Sequence, residues 1–371
     1  MAITDKEPGV WGLEQVYNKI NQGGIWSYSG SAPERTKLYV WGANANGKLG
    51  LNEQGPWSPD GTYLTARSSP TQLPGDYSHV AFGGGQLFAT KTDGTLWISG
   101  ASGDGTLGMN QPDSTSYSSP TQLGTDTTWG KVISRYNSIT AVKTNGTLWS
   151  WGKNNYGQMG EKQRNEYSSP LQIGTNTNWS GDKKLISAGY YFTGAIKTDG
   201  TLWTWGMHSY GALGIPGPVN PGGSRSSPTQ VGTNTNWSCI ASGTYAGYAV
   251  KTDGTFWSWG YGGQGQLGQN KQGGPAGLSS PTQVGTDTTW SIVRGGSYKG
   301  FAIKTDGTLW SWGQNRGQLA LNDLIARSSP TQVGTDTTWK WLEISNASVY
   351  ASKTDNTLWS WGYNASGQNG V

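Results

Sequence analysis

Residues 300–313 read GFAIKTDGTLWSWG, two short runs separated by Asp306-Gly307. Short apolar-rich runs flanking a turn pair read as strands rather than helices. Asp-Gly is favoured where both central residues of a hairpin need positive φ, so the pair predicts a type I′ turn. Side chains two apart in a strand share a face. In the related stretch 202–206, LWTWG, Trp203 and Trp205 point one way and Leu202 and Thr204 the other. The local unit is a β-hairpin with two indoles on one side.

The unit recurs. Relatives of LWSWG stand at 38–42, 96–100, 148–152, 202–206, 256–260, 309–313 and 358–362, their last glycines 58, 52, 54, 54, 53 and 49 residues apart. Six follow a turn at Asp93-Gly94, Asn145-Gly146, Asp199-Gly200, Asp253-Gly254, Asp306-Gly307 or Asp355-Asn356. Six SSP triplets end at Pro70, Pro120, Pro170, Pro228, Pro281 and Pro330. Proline cannot donate to a ladder, so each SSPTQ strand belongs at an outer edge. With a short strand such as 290–294 before each hairpin, the repeat has four strands in roughly 50 residues, the period of a propeller blade. Large indoles on one face and smaller side chains on the other let neighbouring sheets nest. The reading is all-β: a seven-bladed β-propeller of four-stranded blades over 38–371, closed by strands from both termini, with six blades as the alternative. Residues 1–37 form a separate arm.

Composition narrows the function. With 59 Gly, 21 Trp and 18 Tyr but only 13% charged residues, the chain is neither disordered nor helical. Net charge is +4 without a Lys/Arg run, which predicts no nucleic-acid partner. No apolar run reaches spanning length, which predicts no membrane insertion, and the N-terminus lacks a secretory pattern. Cys239 is the single cysteine, and His79 and His208 lie in different units, where they are expected at surface or edge positions. That scatter gives no zinc set and no nucleophile motif, so no catalytic residue, metal or cofactor is assigned and the chain reads as a non-enzyme. Residues 42–48, GANANGK, match the start of a phosphate loop, but Leu49 replaces the required Ser or Thr, so this is a repeat turn.

The turns WGANANGKLG (41–50), WGKNNYGQMG (151–160), WGMHSYGALG (205–214) and WGYGGQGQLG (259–268) resemble those of the regulator-of-chromosome-condensation propeller family, with a degraded copy at 361–370. The resemblance implies a seven-bladed propeller acting through its surfaces: nucleotide exchange on a small GTPase, β-lactamase inhibition, ultraviolet sensing or scaffolding. The family's frequent His after the mid-repeat Gly is replaced here by Gln86, Ser138, Phe192 and Ala246, and no GWRHT motif is present.

In the arm, Leu13, Val16, Tyr17 and Ile20 fall on one face of a short amphipathic helix that Gly23-Gly24 would end; with Trp11 they form the candidate anchor. The string PGVWGLEQVYNKINQGGIW (8–26) resembles an N-terminal segment of marine bacteriophage virion proteins. From this follow a virion localisation, with a cytoplasmic alternative, and partners that are other virion subunits or a host-surface glycan or receptor. A protein-binding regulator such as an exchange factor or enzyme inhibitor is the alternative function. Function should lie where repeats differ. The longest variable connection, 51–67, carries Trp57, Tyr63 and Arg67; with Tyr117 and Tyr167 these form the candidate partner-binding loops.

Overall fold

The computed structural model describes residues 37–53, 65–111, 113–182, 184–219, 223–271, 277–345, 348–364 and 367–370. Strands β1 (Leu38–Gly42) and β2 (Arg67–Leu73) pair as an antiparallel ribbon. Blade I follows as β3 (Tyr77–Phe82), β4 (Gln86–Lys91), β5 (Leu96–Ala101) and β6 (Ser116–Gln122). Blade II is β7 (Trp129–Arg135), β8 (Ser138–Lys143), β9 (Leu148–Gly152) and β10 (Tyr167–Gln172). Blade III is β11 (Ile186–Ala188), β12 (Phe192–Ile196), β13 (Leu202–Gly206) and β14 (Arg225–Gln230). Blade IV is β15 (Trp237–Ser242), β16 (Ala246–Lys251), β17 (Phe256–Gly260) and β18 (Leu278–Gln283). Blade V is β19 (Trp290–Gly295), β20 (Lys299–Lys304), β21 (Leu309–Gly313) and β22 (Arg327–Gln332). Blade VI has three strands, β23 (Trp339–Ile344), β24 (Ser348–Lys353) and β25 (Leu358–Gly362).

The expectation of seven four-stranded blades is therefore corrected to six. Among the described residues five have four strands and the sixth has three, while β1–β2 is a two-stranded ribbon. The reason is in the repeat: seven LWSWG-type strands exist, but the inner strand pair that precedes them occurs six times. The ribbon lies between blades VI and I. The Trp41 indole N–H donates to the Gln368 carbonyl at 2.8 Å, and Gly47 abuts Ser118 of blade I. The helix expected within residues 1–37 falls outside the described residues.

The SSPTQ strands are outer edges, as proline requires. Trp203 and Trp205 of blade III pack on Val142, Leu148 and Ile173 of blade II, so each blade gives its indoles to one neighbour. Trp151, Trp205, Trp259 and Trp312 are wholly buried. Trp151 donates to Thr106 O of blade I at 2.9 Å, and Trp259 to Ala212 O of blade III at 2.9 Å.

The hairpins are not type I′. Gly94 N–H donates to Lys91 O, Lys91 N–H donates to Thr95 O, and only Gly94 of the turn has positive φ. This is a three-residue loop in which a type I turn ends in a bulged left-handed glycine. Asp93 keeps an ordinary φ because its carboxylate accepts from the backbone and hydroxyl of Thr95 at 2.9 and 2.6 Å.

Candidate functional site

Antiparallel blades sort the connections onto two faces. The TDG hairpins and the GTDTTW turns share one end of the ring; the tips between first and second strands and the long WG loops share the other. The hairpin face is a repeated internal structure. Lys143 lies 4.6 and 3.6 Å from the ring centres of Trp129 and Trp149 and pairs with Asp126 at 2.5 Å. Lys304 with Asp287 and Lys353 with Asp336 repeat the arrangement.

The loop face is where the repeats diverge. Tyr191, Tyr245 and Tyr298 occupy one repeat position, directly before the second strands of blades III, IV and V. Their carbonyls accept N–H groups from Met207, Tyr261 and Gln314, each at 2.8 Å, which locks each tip to its own long loop. Tyr156 and Tyr210 occupy the position before the loop glycine. The rings touch in sequence: Tyr136–Tyr190 at 4.9 Å, Tyr190–Tyr191 at 5.5 Å, Tyr191–Tyr245 at 5.6 Å, Tyr245–Tyr210 at 5.6 Å, Tyr210–Tyr261 at 4.8 Å and Tyr261–Tyr298 at 6.4 Å. A continuous tyrosine arc thus crosses four blades. A hollow of about 280 Å³ opens within it, lined by Tyr210, Tyr245, Tyr261, Gln264, Tyr298 and Gln314.

Two features mark the arc as costly to the fold. Tyr136 and Tyr210 have φ of 56°, a region that bulky residues avoid; the slot of Tyr210 holds Asn46 in the ribbon and Asp104 in blade I. Both rings also remain 40% exposed. Burial, then the neighbouring Tyr191 and Tyr298, pushes the Tyr245 phenol up to about 12; burial and Tyr156 raise Tyr191. These hydroxyls stay protonated at neutral pH, able both to donate and to accept.

Beside the arc, blades II and V send cations to the axis. Arg294 is buried and its Nε donates to Glu343 of blade VI at 3.2 Å. Arg135 lies 5.9 Å from the Tyr190 ring and within electrostatic reach of Glu343. Lys299 is buried and pushed down to about 8 by that burial and then by Arg135 and Arg316.

Of the sequence-predicted loop residues, Arg67 and Tyr167 begin outer strands opposite Gly42 and Gly152, and Tyr117 follows Ser116 at the start of β6, opposite Gly100; all three are half-buried at the loop-face end of their blades. Trp57, Tyr63 and the anchor residues Trp11, Leu13, Val16, Tyr17 and Ile20 lie outside the described residues. His208 is not on the surface. It is fully buried, and its Nδ1 accepts the Leu213 N–H at 3.3 Å, as Asn154 Oδ1 accepts that of Met159. His79 reaches the Val132 carbonyl across the seam between blades I and II at 2.6 Å. Gly47 of the phosphate-loop-like segment closes a single turn against Ser118, a repeat contact. Among the described residues, no His/Cys/Asp/Glu group is arranged to hold a metal.

A ring of radially set antiparallel sheets with divergent loops on one face is a tandem-repeat β-propeller. The RCC1-like domain matches residues 34–371, and the chain belongs to that family. It is 28% identical over 74% of its length to the mitochondrial RCC1 domain-containing protein RUG3 of Arabidopsis thaliana, and 27% over 76% to the E3 ubiquitin-protein ligase HERC2 of Mus musculus. It spans 61% of the former and 6% of the latter. Human WBSCR16 superposes with a TM-score of 0.76 at 19% identity, over 91% of this chain and 92% of that one. Prp20p of Saccharomyces cerevisiae gives 0.73 at 18%, over 92% and 84%.

Proposed function

We propose that this chain is a protein-docking ring that acts by binding rather than catalysis, and that a partner protein seats on the tyrosine arc. The observation that carries the reading is the unbroken run of rings from Tyr136 to Tyr298, held partly exposed on the face where the repeats diverge. Tyrosine gives large rigid contact area with few rotors to freeze, the character of binding hot spots. The related Prp20p binds Gsp1p and histones, which supports a protein partner on this fold. A virion role draws no support from these relatives.

The test is capture of a partner from extract of the source cells by the immobilised chain. A Tyr191→Ala/Tyr245→Ala variant should lose at least about tenfold of that capture, the loss of a hot-spot pair. Thr125→Ala, on the exposed hairpin face, should retain it. Equal capture by all three proteins would refute the docking face. Nucleotide exchange on a small GTPase is the specific form suggested by the related secretion-regulating guanine nucleotide exchange factor of Bos taurus. It is checked by release of a labelled GDP from the captured partner.

A further inference from the structure

Three repeat positions meet at each loop-face seam: the residue before the loop glycine of one blade, and the second-strand tip and the residue after WG of the next. Between blades I and II these are Asp104, Asn137 and Lys153, and they satisfy one another. Asn137 Nδ2 donates to Asp104 Oδ2 at 2.6 Å, and Lys153 Nζ pairs with the same oxygen at 3.2 Å. Between blades III and IV the positions hold Tyr210, Tyr245 and Tyr261; between IV and V they hold Gln264, Tyr298 and Gln314. These six side chains line the hollow of about 280 Å³. Among the described residues, the Tyr261 and Tyr298 hydroxyls and the Gln264 and Gln314 side-chain amides make no hydrogen bond. A set that closes on itself at one seam is left open at two adjoining ones, with rings for walls, spare donors and no charge in the lining.

Chain segments are recognised by strand addition, by a helix in an apolar groove, by basic clusters on acidic or phosphorylated motifs, or by aromatic grooves on polyproline II. Strand addition needs unpaired backbone, but the Tyr245 and Tyr298 carbonyls already accept from the Tyr261 and Gln314 N–H groups at 2.8 Å. A helix ~10–12 Å across needs a long apolar groove, whereas this lining is phenol and amide. No basic group lines it. The fourth mode matches. Neighbouring rings stand at 71° for Tyr210–Tyr245, 53° for Tyr210–Tyr261 and 71° for Tyr261–Tyr298, forming notches rather than one flat platform. Proline has no N–H and polyproline II makes no internal hydrogen bonds, so such a segment presents carbonyls that need donors. Hydroxyls and amides supply them. We infer that the hollow seats a proline-rich segment of the docked partner in the polyproline II form. Its pyrrolidine rings enter the notches of Tyr210, Tyr245, Tyr261 and Tyr298, and its carbonyls accept from the phenols and from Gln264 and Gln314. This rests on the docking reading and names the chemistry of the partner.

The experiment measures binding of fluorescently labelled decaproline to the full chain, with a Gly-Ser decapeptide and maltoheptaose as comparison probes. Decaproline should bind more tightly than the Gly-Ser peptide, because its preformed helix loses less freedom on binding. Its affinity should change little with salt, since no charge lines the hollow. Tyr261→Ala should cost at least about tenfold, as loss of a hot-spot ring does. Tyr298→Phe keeps the ring, removes one donor and should cost roughly threefold to tenfold without disturbing the fold. Unlabelled decaproline in excess should displace the captured partner. Decaproline binding no better than the Gly-Ser peptide, unchanged by both substitutions, or without effect on capture would overturn the inference. So would tighter binding of maltoheptaose with loss on the same substitutions. If decaproline does not bind while the Tyr191→Ala/Tyr245→Ala variant loses partner capture, docking stands and the proline-rich segment fails. If that variant keeps capture, the docking reading fails and this inference with it.

Discussion

At the scale of single residues, the repeat shows what each position is for by where it varies. The glycine of the TDG turn is present in five hairpins because a side chain there would meet the turn entering the next blade: a Cβ on Gly254 would fall 1.8 Å from the Thr288 carbonyl oxygen, at φ +78°. The sixth hairpin carries Asn356 at φ 67°, and its next neighbour in the ring is the two-stranded ribbon. Gly254→Ala should therefore destabilise the chain by at least about 2 kcal/mol, combining strained φ and collision. Asn356→Gly should stay within about 0.5 kcal/mol, because the backbone there already tolerates a side chain. Denaturant midpoints separate the two. The same comparison makes the tyrosine arc intelligible. The positions before the second strand and before the loop glycine vary from unit to unit, yet three of the former are Tyr191, Tyr245 and Tyr298. That recurrence was readable in the sequence. It is easily passed over because the tips that carry these tyrosines are short, whereas the longest connections, where Trp57 and Tyr63 stand, are the most conspicuous divergence between repeats.

At the scale of the element, the hairpin-face ion pairs tie the turn entering a blade to the end of its second strand. In blade II burial would raise the Asp126 carboxyl, but hydrogen bonds from Lys143 and Thr128 hold it down to about 2. In blade VI, bonds from Lys353 and Thr338 hold Asp336 at about 2. Folded carboxyls depressed below their unfolded range stabilise the chain fully above about pH 4, and that contribution disappears as pH falls toward 2. The urea midpoint should therefore be flat near neutrality and fall between pH 4 and 2, as followed by tryptophan fluorescence. Asp126→Asn and Asp336→Asn together should flatten part of that fall. Blades III and IV already carry Asn176 and Asn234 at the equivalent position, so the ion pair is not needed to form the turn. Strand order and the proline edge were legible because alternation and backbone chemistry fix them. The turn type was not, since the Asp93–Thr95 bonds that select it arise only once the hairpin closes.

At the scale of the whole molecule, the count of LWSWG strands suggests seven blades, while the count of complete hairpin pairs gives six; only the inner strands decide. The difference leaves a weak joint. Among the described residues β25 has no outer partner, and it is only half-buried; Trp41 and Trp361 are less covered than Trp259 or Trp312. Trp259→Ala should cost about 3–5 kcal/mol, as loss of a wholly buried indole does, and Trp41→Ala distinctly less. Amide exchange should be faster in β25 and β1 than in β17 and β21, because local opening follows sparse burial. Equal protection across these strands would contradict a preferred opening point.

Contacts between neighbours also run one way round. Gly105 of blade I lies on Ser168 of blade II, Gly157 of blade II on Ser226 of blade III, and Gly367 of blade VI on Ser68 of the ribbon. Each loop overlaps its successor as a roof tile overlaps the one below. Damage to one loop should therefore loosen the downstream unit and spare the upstream one, so a foreign peptide grafted into a long loop is best placed where the following unit is most strongly held.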